Sequence, residues 1–481
     1  MVSFGRRACT NTYAPKLNAI GSSTHPRQTR FQRRRKMAGF RPNGSLPAVT
    51  LAVALVLCAN GPTWVASASP ATKHVEEAQK DLTEWISKLW RELHQYPELA
   101  YQEEKTSRLV RTTLDSLGIS YTYPLATTGL VATIGRPGGR HVAVRADMDG
   151  LAITEATDLP HKSKVEGKMH GCGHDAHTAM VLGAAKLLKA KEAELQGQVS
   201  FVFQPAEEAG AGAYRMLEDG LFKNDHVDAI FGLHVDPYMF TGQASVYAGT
   251  VLASAGTFKV TLTATGGHGA WPHLTADTVV AGASIVLMLQ TLISRRLSAQ
   301  EAGVVSVTMF QGGSALNVLP SEVVLGGTWR SLSVEGNKNL KEWIRQMILQ
   351  QATVMGVNAT IDFFDDKHPT YPPTVNDPRV ANFARGVIEK VLGPENTKEG
   401  YPQMGAEDFA FYTERIPACF FLLGVRHEDT VTPGPLHTPR FSLDEAALPI
   451  GAAIHANLVL DFLNEGSGED GKETGAVKEE L

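Results

Sequence analysis

TFKVTLTAT, residues 257–265, reads as a strand, and the segments that follow it decide the fold. DTVVAGASIVLMLQTLISR (277–295) predicts a helix and GVVSVTMFQ (303–311) a strand. SEVVLGGTWR (321–330) predicts a further strand, NLKEWIRQMILQQATVMG (339–356) a helix and NATIDFF (358–364) a strand. The order βαββαβ is that of a split βαβ, ferredoxin-like unit. It closes on the Pro-rich linker KHPTYPPTVNDP (367–378), after which helices and strands alternate again. Residues 252–366 are therefore expected to form a self-contained module inserted into a larger domain.

That larger domain has another rhythm. EEAQKDLTEWISKLWRELH and EEKTSRLVRTTLDSLG, within residues 73–118, predict two helices broken at Pro97 and closed by Gly118. LVATIG (130–135), HVAVRADMD (141–149), QVSFVFQ ahead of Pro205 and DAIFGLHVD (228–236) are short apolar runs that predict buried strands. Strands alternating with helices imply an α/β domain with a mixed, largely parallel sheet. Its expected extent is 73–251 plus 367–464.

The ends read as addresses. Residues 1–68 hold ten Lys/Arg and no acid, which leaves 35 basic against 50 acidic residues in the rest, a net charge near −15. So acidic a body argues against nucleic acid as a partner. From Met37 a basic stretch, the apolar run PAVTLAVALVLC (47–58) and Ala66-Ser67-Ala68 follow in the order of a secretory signal with cleavage near Ala68. Twelve apolar residues are too few for a stop-transfer helix, so no stable membrane insertion is expected. Residues 1–36 are either a transit peptide or the product of an over-long gene prediction whose true start is Met37, the second being preferred; the whole leader spans 1–72. The polar tail 465–481 ends KEEL, a near-variant of the KDEL retention signal. Together these point to the lumen of the endoplasmic reticulum. Without Cys9 and Cys58 of the leader the chain keeps Cys172 and Cys419, which is no disulfide framework.

Cys172 needs another explanation. MHGCGHDAH (169–177) opens a predicted helix for which Asp175 is placed as N-cap. Four motifs, CGHD (172–175), PAEE (205–208), GLHVD (232–236) and GPLHTP (434–439), fall where strands end or helices begin, where open α/β sheets hold their ligands. They offer Cys172, His174, Glu207, Glu208, His234 and His437. A thiol nucleophile with His174 as its base is a poor fit, because residues two apart in a Gly-rich loop rarely align and no oxyanion partner is evident. Thiolate, imidazole and carboxylate all ligate borderline divalent ions. Glu207 and Glu208, adjacent on an extended segment, would point in opposite directions, so that one can bind metal while the other serves as general base.

The chain resembles the co-catalytic metallo-aminohydrolases of the aminoacylase and carboxypeptidase type, and among them the plant indole-3-acetic acid–amino acid hydrolases. The resemblance spans about residues 80–464 through HQYPELAYQE (94–103), RADMDGLAI (145–153), MHGCGHDAHTAMVLGAAKLL (169–188), FQPAEEAGAGA (203–213), IFGLHVDP (230–237), GGHGAWPH (266–273), GGSALNVLP (312–320), MGAEDFAFY (404–412) and LPIGAAIHANLVL (448–460). It implies the metal ligands Cys172, His174, Glu208, His234 and His437, with Cys172 bridging two ions, and Glu207 as general base. It further implies that 252–366 is a lid or dimerisation domain in which His268 stabilises the oxyanion, often across a homodimer interface. Asn317 and Arg330 would contact the amide or carboxylate end of the substrate. Gly171 replaces an Ala of many plant relatives, and Trp271 beside His268 bears on acyl specificity.

The implied activity is a dinuclear amidohydrolase for N-acyl amino acids, foremost indole-3-acetyl conjugates, with a broad hippurate-type amidohydrolase as the alternative. Mn²⁺ is the expected ion, with Zn²⁺ and Co²⁺ as substitutes. A catalytically dead ligand-binding relative would lack Glu207 or a ligand, and none is missing. Among neighbours, His177 is expected to be structural, Asp149 to orient a ligand imidazole, and Cys419 to be an inert core thiol. His94 and the pair Glu407-Asp408 fit a place near the site and a purely structural role equally well.

Overall fold

The computed structural model describes residues 70–365, 369–429 and 434–465; the signal pattern and the KEEL tail lie outside the described residues. Strands are numbered along the chain. The first six are β1 (Tyr121–Leu125), β2 (Gly129–Gly135), β3 (Arg140–Asp147), β4 (Gly197–Gln204), β5 (Ala229–Phe240) and β6 (Ala244–Val246). Then come β7 (Gly249–Leu252), β8 (Gly256–Thr263), β9 (Gly267–His268), β10 (Gly303–Gly312), β11 (Val318–Leu319), β12 (Glu322–Ser331) and β13 (Asn358–Asp362). The last are β14 (Thr374–Asn376), β15 (Thr397–Glu399) and β16 (Ala418–Arg426).

Eight strands form one sheet in the order β1-β2-β4-β3-β5-β16-β6-β15. Its centre, β4, β3, β5 and β16, is parallel, while β1, β2 and β6 add antiparallel pairings. The apolar runs follow from this placement, because a central parallel strand is covered on both faces. Val142, Val144 and Ala146 of β3 enter one hydrophobic core and Ala143 the other. Helices Pro70–Gln95, His174–Lys189 and Ala447–Asn464 pack together on the first of these faces.

Residues between β8 and β13 build the second sheet, in the antiparallel order β10-β12-β8-β13. With helices Thr278–Thr291 and Val334–Met355 this is the ferredoxin-like arrangement that the sequence predicts. β8 alternates buried and more exposed residues, as a one-sided sheet requires. Phe258, Val260, Leu262, Ile285, Trp329 and Ile344 belong to a core of the module's own. Asp277 and Ser333 cap the two helices by accepting backbone N–H groups.

Among the described residues, two helices, Thr278–Arg296 and Ala447–Asn464, are long and apolar enough to cross a membrane by length and composition. The second is 78% buried within the protein, as a core helix is; the first leaves Val280, Leu287 and Met288 exposed.

The chain crosses between the two sheets twice, and the crossings pair with each other. β7 lies antiparallel to β14, and Ala255 and Tyr371 exchange both backbone hydrogen bonds at 3.0 and 2.9 Å.

Candidate metal centre

The loop after β3 and the start of helix His174–Lys189 set the first ligand candidates. Gly173 takes φ +87°, a left-handed conformation, and an added Cβ would stand 2.5 Å from Val235 Cγ2, so glycine is required there. Gly173, not Asp175, occupies the N-cap. Asp175 sits one residue inside the helix, where its carboxylate lies 2.7 Å from His94 Nδ1; the cap expectation is corrected by this pairing.

Cys172, His174 and His234 bring ligand atoms within 4.8 Å of one another, and Cys172, Glu208 and His437 do the same. The two triplets share one thiol, whose Sγ is 3.3 Å from His234 Nε2 and 3.2 Å from His437 Nε2. His174 Nδ1 faces Asp149 Oδ1 at 3.1 Å, and its buried Nε2 has no hydrogen-bond partner. His234 Nδ1 donates to the Val235 carbonyl at 2.9 Å, which turns the other nitrogen to the thiol. Loss of solvent pulls the His234 pKa down to about 4 and keeps it neutral. Contacts with Cys172 and Glu208 push the His437 pKa up to about 10, and its Nε2 lies 3.0 Å from Glu208 Oε1. Pre-oriented nitrogens aimed at a thiol and a carboxylate make a donor set that fits two divalent ions.

His174, Glu207 and Glu208 also approach within 4.8 Å, a group that overlaps both triplets. Two further clusters of the same residue types are tied up in hydrogen bonds. Asp147, His174 and His177 also approach within 4.8 Å. His177, however, spends both nitrogens, Nδ1 on Asp147 at 2.6 Å and Nε2 accepting the Val235 N–H at 3.0 Å. Both of its ring nitrogens are therefore engaged by the protein itself. Glu207, Glu407 and Asp408 form another group. There the fully buried Arg145 donates to Glu407 at 2.8 Å, to Asp408 at 3.0 Å and to Asp147 at 2.6 Å.

Glu207 and Glu208 do not lie on an extended segment. Ala206 adopts φ 55°, and Glu207–Gly210 form a single helical turn. The physical reason is a set of anchors: Asp149 accepts the N–H groups of both glutamates at 3.1 Å, and Glu103 accepts that of Ala206 at 2.9 Å. The two carboxylates do not point in opposite directions: an oxygen of each lies within 4.8 Å of the other and of a His174 nitrogen. Their partners differ. Glu208 faces His437, whereas Glu207 is buried and accepts the Asp408 N–H at 3.3 Å. Burial, and then the charges of Glu407, Glu208 and Asp408, hold the Glu207 pKa well above the usual carboxylate range.

A cavity of about 970 Å³ opens over the cluster, lined by Cys172, Glu207, Glu208, His234 and His437 on one side. Leu252, Phe420, Leu422 and Leu436 give it apolar walls, and Tyr238 and Tyr401 stand at exposed positions on it. Arg330 reaches the cavity from β12, where burial lowers its pKa. His268 and Asn317 do not line it. They lie on the paired strands β9 and β11 and the loop beside them, both exposed, with Gly269 N–H donating to the Asn317 carbonyl at 2.8 Å. The Trp271 ring lies against His268, tilted by 36° with 4.8 Å between ring centres.

His94 is bound between Asp175 and Glu155, Glu407 and Asp408 adjoin Glu207, and Cys419 is a buried core thiol. Arg145, Gln204 and Tyr371 escape sequence reasoning. A lone arginine inside the apolar run HVAVRAD was a usable signal, since a strand covered on both faces has no water for it; Tyr371 in its Pro-rich linker carried none.

Fold and site together define a metal-dependent hydrolase of amide bonds. Residues 143–461 match the model of peptidase family M20/M25/M40. The chain is 46% identical over 387 residues to the Arabidopsis thaliana IAA-amino acid hydrolase ILR1-like 4, covering 80% of this chain and 88% of that one. It is 38% identical to the N-acetylcysteine deacetylase of Bacillus subtilis, covering 78% and 95%. A crystal structure of a dinuclear metal binding peptidase from the M20 family of Bacillus subtilis superposes with a TM-score of 0.69 at 34% identity, covering 80% and 99%. The chain belongs to the M20/M25/M40 peptidase family, in the branch of the plant IAA-amino acid hydrolases.

Proposed function

We propose that this protein hydrolyses the amide bond of N-acyl amino acids, and that indole-3-acetyl conjugates are its substrates, releasing the free acid and the amino acid. The observation that carries the reading is the shared thiol: two three-residue donor sets meet at Cys172 beneath a cavity with apolar walls and a single arginine. Cys172, His174 and His234 would hold one ion, and Cys172, Glu208 and His437 the other. When bound, the ions supply Lewis acidity that polarises an amide carbonyl and lowers the pKa of water. The mixed sulfur, nitrogen and oxygen donors accept borderline divalent ions without selecting one; Mn²⁺ is proposed on the family resemblance, with Zn²⁺ or Co²⁺ as substitutes.

Glu207 takes the proton of the attacking water and returns it to the leaving nitrogen; burial and the neighbouring carboxylates raise its pKa above the usual carboxylate range, which favours its accepting a proton. Asp149 holds the His174 imidazole and both glutamate amides. Arg330, on the cavity, would contact the amide or carboxylate end of the substrate; Asn317, off this cavity and beside His268, could do so only in a partner's cavity. The module 252–366 acts as lid and dimerisation domain, against a catalytic domain of 73–251 and 367–464. A homodimer through its exposed apolar helix face would bring His268 to a partner's cavity, where the imidazole stabilises the oxyanion. The signal pattern before Ala68 and the KEEL end support residence in the endoplasmic reticulum.

The similarity to an N-acetylcysteine deacetylase favours a second reading, a broad N-acyl amino acid or hippurate-type amidohydrolase. A panel of indole-acetyl, phenylacetyl, benzoyl and acetyl amino acids, assayed with Mn²⁺, Zn²⁺ and Co²⁺, separates the two. The proposal expects the indole-acetyl conjugates to have the highest kcat/KM, with Mn²⁺. A preference for benzoyl or acetyl substrates by about tenfold, roughly 1.4 kcal/mol, would instead establish the second reading.

A further inference from the structure

The turn that carries Glu207 is held in an unfavourable shape. Ala206 and Ala211, which flank Glu207–Gly210, have φ of 55° and 51°. Left-handed backbone costs a non-glycine residue roughly 1–2 kcal/mol, so other contacts must maintain it. Glu103 and Asp149 fix the entry by accepting the amides of residues 206, 207 and 208. Tyr101 fixes the end of the turn by donating to the Gly210 carbonyl. The Ala206 carbonyl accepts the Gly210 and Gly212 N–H groups at 3.2 Å, and a further contact spans the turn: the Tyr371 hydroxyl donates to the Glu207 carbonyl at 2.8 Å and accepts the Ala211 N–H at 3.0 Å. Tyr371 differs from the others in origin. It lies on the segment returning from the inserted module, and its backbone is paired with Ala255 on the outgoing segment.

We propose that Tyr371 is a positioning residue: its phenol locks the backbone of the proton-carrying Glu207 and ties that backbone to the two crossings at the root of the inserted module. The inference rests on the reading of Glu207 as the base. One hydroxyl serves as both donor and acceptor across the turn, so its removal frees the Glu207 carbonyl and the Ala211 amide together. Misplacement of a reacting group by about 1 Å can cost a hundredfold in rate. The ring itself is packed against Phe411, 5.7 Å between centres, and a phenylalanine keeps that contact.

The test compares the full-length wild type with Tyr371→Phe, Glu207→Gln and the double variant, using the N-acyl amino acid that the wild type turns over fastest. Tyr371→Phe is expected to lower kcat by about tenfold or more, to shift KM by less than about threefold, and to leave metal content and melting temperature nearly unchanged. In the metal-free protein, hydrogen exchange at the Ala211 amide should quicken by about tenfold. In the Glu207→Gln background the Phe substitution should cost nothing further, because both changes act through one carboxylate. A wild-type kcat in Tyr371→Phe beside an inactive Glu207→Gln overturns this inference and leaves the base intact. So does an undiminished loss in the double variant, or a loss matched by missing metal. Wild-type turnover by Glu207→Gln with metal bound overturns the base, and the positioning role with it.

Discussion

Asp149 and His174 are joined by a 3.1 Å contact between carboxylate and Nδ1, and the same carboxylate receives the backbone N–H groups of Glu207 and Glu208. One side chain thus fixes an imidazole on one loop and two glutamates on another. Carboxylates that orient ligand imidazoles typically contribute 10- to 100-fold, in round terms about that much, to metal affinity. Asp149→Ala should therefore weaken metal retention by about one to two orders of magnitude, measured by chelator competition. Unchanged affinity would show that His174 orients itself.

The shared thiol makes a separate prediction. Cys172→Ala should lose metal from both donor sets, because each contains that sulfur. Metal analysis should give fewer than two ions per chain, and activity should fall by about a hundredfold or more, as for the loss of Lewis acidity worth several kcal/mol. Burial raises the Cys172 thiol pKa, so a thiol reagent should reproduce the loss in the metal-free protein faster as pH rises, and metal bound beforehand should protect against it.

The histidine behind the site links stability to pH. Burial works against protonation of His94, but its contacts with Asp175 and Glu155 outweigh it and raise the pKa to about 9. A folded-state pKa above the unfolded value of about 6.5 means that the stabilisation is fully present below pH 6.5. It is then lost as pH rises to about 9. The difference corresponds to at most about 3 kcal/mol. The melting temperature of the wild type should fall across this window more than that of His94→Gln; parallel curves would contradict the assignment.

Arg145 is completely buried among Asp147, Glu407 and Asp408. Removing its charge strands three carboxylates in the core. Arg145→Met should cost about 3–5 kcal/mol, seen as a lower denaturant midpoint, because breaking a buried pair leaves uncompensated charge. A stability within about 1 kcal/mol of the wild type would mean that the carboxylates take up protons instead.

The sequence made the architecture legible where a pattern repeats. β8 to β13 follow the βαββαβ rhythm, and the central strands show as unbroken apolar runs because both faces are covered. It was silent where conformation depends on tertiary anchors. Nothing about Ala206 announces a left-handed residue, so the pattern alone predicts an extended segment, whereas Glu103 and Asp149 hold a turn there. Asp175 looked like a helix cap because its partner His94 is 81 positions away. The six side chains of the candidate centre came together from four separate motifs, whereas His268 and Asn317 stayed off the cavity, a separation that no spacing encodes.

The most direct test of the central claim, proton transfer by Glu207 beside two metal ions, is single-turnover hydrolysis of an indole-3-acetyl amino acid by wild type and Glu207→Gln, with metal content measured on the same samples. The account predicts two ions per chain in both proteins and a rate about 10²- to 10⁴-fold lower in the variant, the usual contribution of a general base. A variant that retains both ions and hydrolyses the substrate within about threefold of the wild-type rate would contradict it.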